Sequence, residues 1–333
     1  MPLSPYSALF LIFTLTGAIL AISSSSWVSA WIGLELNLMA FIPLISSKTN
    51  MFSSEAALKY FLVQALGSAT IIFSATMLFM APNSFMPLVS LALILKTGSG
   101  GLHFWFPQIM EGLNWFHASL LMTVQKLAPM FLLSYMTSNM LCSFLISSSA
   151  LCSSIVGAIG GLNQTSLRKI LSFSSINHMS WMFFSMLINE TSWIIYFSLY
   201  TLITLSITIL FFSLQAYHFS DLINYSKSPL SKTISIMSLF SLGGLPPFSG
   251  FLPKWIILQE LIFNSFYITL TLLLSCSLLT LYFYTRLSIS TLSLSTPQNM
   301  WNSPNNNKLS PLISISASWN LFGLPLTSLL FIF

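Results

Sequence analysis

A run of about twenty apolar residues is long enough to cross a bilayer as a helix, and this chain supplies eleven of them in 333 residues. They cover 4–22, 27–45, 55–80, 85–106, 115–136, 140–161, 168–188, 193–212, 233–261, 266–286 and 312–333. Backbone surrounded by hydrocarbon must pair its own N–H and C=O groups, so spans of this length predict helices. The expected fold class is all-α, a polytopic membrane protein of about 11 transmembrane helices. Composition agrees, with 55% of residues hydrophobic and 5% charged, too few charges for a soluble domain. The connectors carry turn residues such as the serines at 23–26, and only 288–310 is long enough to be a polar surface loop.

The few charges set the orientation. With eleven spans the termini lie on opposite sides, and Lys48, Lys59, Arg168, Lys169, Lys227, Lys232, Arg286 and Lys308 all fall on the N-terminal side. The short loops of the other side hold no lysine or arginine and two acids, Glu190 and Glu260. The positive-inside rule therefore places the N-terminus in the cytoplasm or matrix. Basic residues scattered in ones and twos argue against nucleic acid despite a net charge of +5. The first span lacks the basic leader of a signal peptide and the Arg-rich pattern of a transit peptide, so it reads as a retained span. Cys142, Cys152 and Cys276 have no metal-ligand spacing and read as small interior residues.

Two spans are interrupted. The fourth contains Gly98, Gly100 and Gly101 and closes at Pro107; the ninth contains Gly243, Gly244, Pro246, Pro247, Gly250 and Pro253. They are five spans apart, and an odd offset inverts one unit relative to the other in the membrane. A single membrane domain, 1–333, is expected, built as two inverted five-helix repeats (4–136 and 140–286) with two discontinuous helices and a C-terminal helix at 312–333.

Lys96 and Lys254 lie in the interrupted spans, Lys126 lies mid-way along the fifth, and Glu35 mid-way along the second. On insertion scales each buried charge costs about 2.5–3.5 kcal/mol, or roughly 10–14 kcal/mol for the four. Apolar packing would be cheaper architecture. An acid and an amine held out of water can exchange and release protons near neutral pH; they can also simply pin two helices as an internal ion pair. His103, after the first break, and His178, half-way along the seventh span, either bridge a proton path or are merely hydrogen-bonded. His117 and His218 sit near span ends and read as interfacial. Ser172, Ser174 and Ser175 either orient water or bond their own helix carbonyls. Trp105, Trp115, Trp193, Trp255 and Trp301 fall toward span ends, where aromatic belts form. No glycine-rich nucleotide loop, CxxC pair or regular histidine pairing is present to hold an electron carrier.

Six blocks carry a family resemblance: WIGLELNLMAFIPLI, EAALKYFLVQALGS, LHFWFPQIMEGL, LLMTVQKLAPM, IGGLNQTSLRKILSFSSINHMSWM and LGGLPPFSGFLPKW. In order and spacing they resemble the chain 2 family of NADH:ubiquinone oxidoreductase, respiratory complex I, over spans two to ten. The eleven spans resemble the animal mitochondrial form, which lacks the first three of the fourteen helices of bacterial relatives. The resemblance implies a proton-translocating, antiporter-like subunit, with a fold shared with cation/proton antiporter subunits. NADH oxidation and ubiquinone reduction would take place in partner subunits. NAD, FMN, iron–sulfur clusters and ubiquinone would then belong to those subunits, with no cofactor in this chain. It further implies that Glu35 and Lys96 form a coupling pair, that Lys126 is the central lysine, and that Lys254 lies toward the exit half-channel. The implied partners are membrane-arm chains 4L and 4, with lipid around them. The implied location is the mitochondrial inner membrane, N-terminus in the matrix and C-terminus in the intermembrane space. The alternatives are a cation/proton antiporter subunit outside complex I and a purely structural spacer. Many relatives have Ala-Pro-Phe-His-Phe-Trp after the first break, where this chain has Gly-Gly-Leu-His-Phe-Trp; Leu102 replaces the proline, leaving Gly100 and Gly101 to keep the backbone open.

Overall fold

The computed structural model describes residues 5–46, 50–78, 80–225, 229–293, Ser318 and Asn320. Apart from those last two residues, the expected span 312–333 lies outside the described residues, as do Lys48, Lys227, Lys308 and Trp301. Fourteen helices of seven residues or more form among the described residues, and their only β pairing is an isolated bridge between Ser166 and His218.

Helices α1 (Pro5–Ile22), α2 (Trp27–Ile45) and α3 (Met51–Met77) follow the first three expected spans. The start of α2 is set by a capping box, in which Ser26 and Ser29 exchange side-chain and backbone hydrogen bonds. α1 and α2 pack backbone to backbone: a Cβ at Gly33 would stand 2.5 Å from the Ala21 nitrogen, and one at Gly17 2.8 Å from that of Asn37. Small residues at such crossings are how membrane helices gain dispersion contact without a hydrophobic drive.

The fourth span is broken as expected. α4 (Pro82–Thr97) stops at Gly98, whose φ of 69° ends the helix in a left-handed cap, and α5 (Trp105–Gly112) resumes seven residues later. With Leu102 rather than a proline in the break, the backbone turns at Gly98 and at Gly101, at φ 97°, and not at Gly100. The ninth span divides into α12 (Pro229–Gly243) and α13 (Phe251–Phe263). Gly244, at φ 77°, closes α12: its N–H reaches Ser241 O while that of Leu245 reaches Phe240 O, the two bonds of a Schellman end.

The fifth span carries a narrower interruption that the apolar pattern did not reveal. α6 (Trp115–Met122) and α7 (Val124–Ser134) meet at Thr123, two residues before Gln125 and three before Lys126. Pro129 inside α7 has no N–H for the Gln125 carbonyl and crowds it. The helix accommodates this with a three-residue bond from Lys126 N to Thr123 O.

α8 (Met140–Gly160), α9 (Leu167–Ile188), α10 (Glu190–Leu214) and α14 (Tyr267–Ser293) complete the long helices; the short α11 (Phe219–Tyr225) has no counterpart in the expected spans. Among the described residues seven segments are long and apolar enough to cross a membrane: α1, α2, α3, α6 with α7, α8, α10 and α14. α9 is not one of them, because serines, Asn177 and His178 dilute its hydropathy. It has no need of lipid: Ser174 to Met186 is buried without interruption, packed by α5, α8, α10, α13 and α14. The expected aromatic belt is corrected here. Trp115 and Trp193 are 0% and 1% exposed, core residues rather than anchors, and of the described tryptophans named above only Trp255 faces outward.

Candidate functional site

The three span lysines are 5% (Lys96), 2% (Lys126) and 6% (Lys254) exposed, so none of them snorkels to a surface. Each stands at or beside a helix interruption, for a local reason. Lys96 is in the last turn of α4, where open carbonyls favour a cation. Its stem lies on Gly67 of α3, whose missing side chain makes the room: a Cβ there would be 3.0 Å from Lys96 Cγ. Lys254 projects from the first turn of α13 back to the end of α12 and donates from Nζ to Gly243 O at 2.9 Å. The lysine thus takes one of the carbonyls at that break.

Lys126 Nζ has no hydrogen-bond partner among the described residues. It lies 4.7 Å from the Phe106 ring centre and 5.9 Å from that of Tyr200, where two ring faces attract the charge. Lys96 and Lys126 line one cavity, together with Gln64, Thr97 and Gln125; at about 10 Å³ it is near the size needed for a single water. Around it runs a polar network that links four helices. Tyr60 Oη donates to Gln125 Oε1 (2.9 Å), Gln125 Nε2 to Asn37 Oδ1 (2.8 Å), and Gln64 Nε2 to Lys96 O (3.3 Å). Across the break, Trp105 Nε1 donates to Leu95 O at 3.1 Å.

Glu35, half-buried on α2, acts electrostatically on Lys96 and keeps one carboxylate oxygen buried without a partner. The two do not form a direct ion pair; among the described residues the ion pairs are Glu55 with Lys59 and Glu111 with Lys169. His178, buried on α9, lies within electrostatic reach of both Lys126 and Lys254. His103 stands apart. It is half-exposed in the turn between α4 and α5, against the exposed Phe104 ring, and does not line the lysine cavity.

The sequence reading missed Asn37, Tyr60, Gln64, Gln125, Tyr196 and Tyr200. One signal was available. Tyr60, Gln64 and Gly67 recur at helical spacing on one face of an otherwise apolar helix. Ser172, Ser174 and Ser175 donate to Lys169 O, Leu171 O and Ser172 O of their own helix, and Ser174 and Ser175 also lie against Tyr284 and Tyr200.

This arrangement has counterparts of known kind. Residues 24–280 match the family described as NADH:quinone oxidoreductase/Mrp antiporter, TM. A chain named NADH-ubiquinone oxidoreductase chain 2 from Anopheles gambiae is 43% identical over 97% of this chain and 97% of its own. The chain belongs to the NADH-ubiquinone oxidoreductase chain 2 family. Solved structures share the fold at lower identity. A chain of respiratory complex I from Thermus thermophilus matches with a TM-score of 0.81 at 22% identity, over 97% of this chain and 77% of that one. One of the Mrp complex from Dietzia sp. matches at 0.76 and 14%, over 96% and 75%. For this family member the fold is therefore that of the antiporter-like membrane subunits, as the sequence resemblance implied.

Proposed function

We propose that the chain is the proton-translocating, antiporter-like subunit of complex I in the mitochondrial inner membrane, multi-pass, with its N-terminus in the matrix and C-terminus in the intermembrane space. Membership of the chain 2 family supports the assembly. NADH oxidation and ubiquinone reduction, and the NAD, FMN, iron–sulfur clusters and ubiquinone they need, belong to partner subunits; this chain supplies no cofactor site. Its neighbours are chains 4L and 4, with lipid on the exposed apolar faces. The two units 4–136 and 140–286 are inverted repeats, a reading supported by the left-handed glycine, Gly98 or Gly244, that ends each broken helix beside a lysine.

One observation carries the mechanism: three buried lysines at helix interruptions, with His178 within electrostatic reach of the last two. Moving one charge through 100 mV takes about 2.3 kcal/mol, and a tenfold change in a proton equilibrium is about 1.4 kcal/mol. A few groups in series can divide such a load without any one step being prohibitive. Glu35 and Lys96 form the entry pair, Lys126 the centre, and His178 and Lys254 the way onward. His103 serves at the first break as an accessory proton group.

The test is a double-mutant cycle on Glu35→Gln and Lys96→Met in the assembled complex, read as NADH-driven proton uptake by sealed vesicles. If the pair acts as a unit, the double variant pumps no worse than the poorer single one, a departure from additivity of about 0.5–3 kcal/mol. Additive losses would separate the two residues, and wild-type pumping in all three variants would overturn the relay.

A further inference from the structure

His178 is the one group of the proposed series whose two proton-bearing atoms are both engaged, and by partners of different kinds. Its Nδ1 lies 2.8 Å from the Tyr196 hydroxyl, and both residues are buried. The backbone of Leu242 also lies within reach of the ring, on the side left to Nε2 because Nδ1 faces the phenol. A carbonyl only accepts. Nε2 therefore carries the hydrogen of the neutral ring, and Nδ1 accepts from Tyr196. The two ends face different lysines. Leu242 is the residue before Gly243, whose carbonyl holds Lys254 Nζ at 2.9 Å. On the other side the Tyr200 ring, 5.1 Å from the His178 ring and within electrostatic reach of Tyr196, is the one over which Lys126 sits.

We propose that Tyr196 is a proton-relay residue, through which protons enter His178 at Nδ1 and from which they leave at Nε2 toward Lys254. The inference rests on the reading that Lys126, His178 and Lys254 act in series. In the first step the Tyr196 O–H bond breaks as its proton passes to Nδ1, while the oxygen takes up a proton released from the Lys126 ammonium, carried across by water. Tyr196 stays neutral, Lys126 becomes a free amine, and His178 becomes an imidazolium. In the second step the Nε2–H bond breaks, its proton goes to a neutral Lys254, and the ring is left protonated on Nδ1. A water-carried exchange, in which Nδ1 gives up its proton as Nε2 takes one, returns the ring to the starting tautomer. Tyr196 thus does two things that a packing residue does not: it fixes which nitrogen is free to accept, and it offers an oxygen that can take a proton as it gives one.

The experiment uses assembled complex in sealed vesicles and measures NADH-driven proton uptake in variants matched for the amount of intact complex. Tyr196→Phe keeps the ring and removes the hydroxyl; it is expected to lower pumping on the order of tenfold. Tyr196→His again offers a donor and an acceptor, and is expected to recover roughly half of the wild-type rate or more. A purely structural role predicts the opposite order, because phenylalanine preserves the packing better. Should Tyr196→Phe fail to assemble, the histidine variant carries the test, and an assembled Tyr196→His complex that does not pump overturns the relay. His178→Gln separates the two levels. Normal pumping by His178→Gln overturns the series itself, whereas lost pumping there with normal pumping in Tyr196→Phe overturns only the role of Tyr196.

Discussion

Lys126→Met in the assembled complex is expected to lower proton translocation by at least on the order of 100-fold, the low end of what a positioned acid–base group contributes, while leaving the complex intact and no less stable. The two halves of that expectation have different origins. Methionine keeps the unbranched stem and its contacts with Phe106 and Tyr200 but cannot carry a proton. Stability moves the other way, because Nζ is buried without a hydrogen-bond partner among the described residues. A charge at membrane depth costs about 2.5–3.5 kcal/mol, and attraction to the ring faces returns about 0.5–2 kcal/mol. The substitution therefore relieves the fold by about 0.5–3 kcal/mol. The checks are initial rates of vesicle acidification and thermal unfolding of the purified complex. Pumping within twofold of wild type would leave the lysine a spacer, and a fall in melting temperature would mean that it holds the helices together.

Gly100→Ala is expected to be a severely damaging small substitution, with a loss of more than about 3 kcal/mol, at or beyond the upper end for overpacking, and little assembled complex. The added Cβ would come 2.0 Å from Ser153 N and 2.3 Å from Cys152 C. Those are backbone atoms of α8 and cannot rotate away. The adjacent Gly101→Ala makes the comparison sharp. It meets nothing within 4 Å, so its φ of 97° is the whole penalty, about 1–2 kcal/mol for a left-handed alanine. The yield of intact complex from the two variants decides the matter. Equal yields would mean that the first break does not press on α8.

Much of this architecture could be read from hydropathy and glycine alone. The ends of α2 coincide with the expected span because a serine cap and a change in polarity fall at the same place. Both long breaks were legible because glycine and proline announce them. The hitch at Thr123 was not, since a proline six residues further on is compatible with a continuous helix, and only packing around Lys126 decides otherwise. Charged residues within spans were conspicuous, so Lys96, Lys126, Lys254 and Glu35 could be named. Their partners could not. Tyr60, Tyr196 and Tyr200 look like ordinary apolar bulk in a membrane sequence, and which hydroxyl meets which ring depends on contacts between helices far apart in the chain. The tryptophans failed for a related reason: position along a span does not say which side of the helix faces protein, and Trp115 bonds Ala216 O across the interior.

The polar character of α9 bears also on how the chain enters the bilayer. A helix whose own composition does not favour hydrocarbon cannot partition alone as it leaves the ribosome, and its serines, which bond their own carbonyls, reduce that handicap without removing it. α8 comes immediately before it and is strongly apolar. The two meet where Gly157 lets the α9 backbone approach so closely that a Cβ would stand 2.7 Å from Asn177 N. α9 is therefore expected to enter as the second arm of a helical hairpin, with His178 brought to membrane depth by a neighbour's greasiness rather than by its own helix.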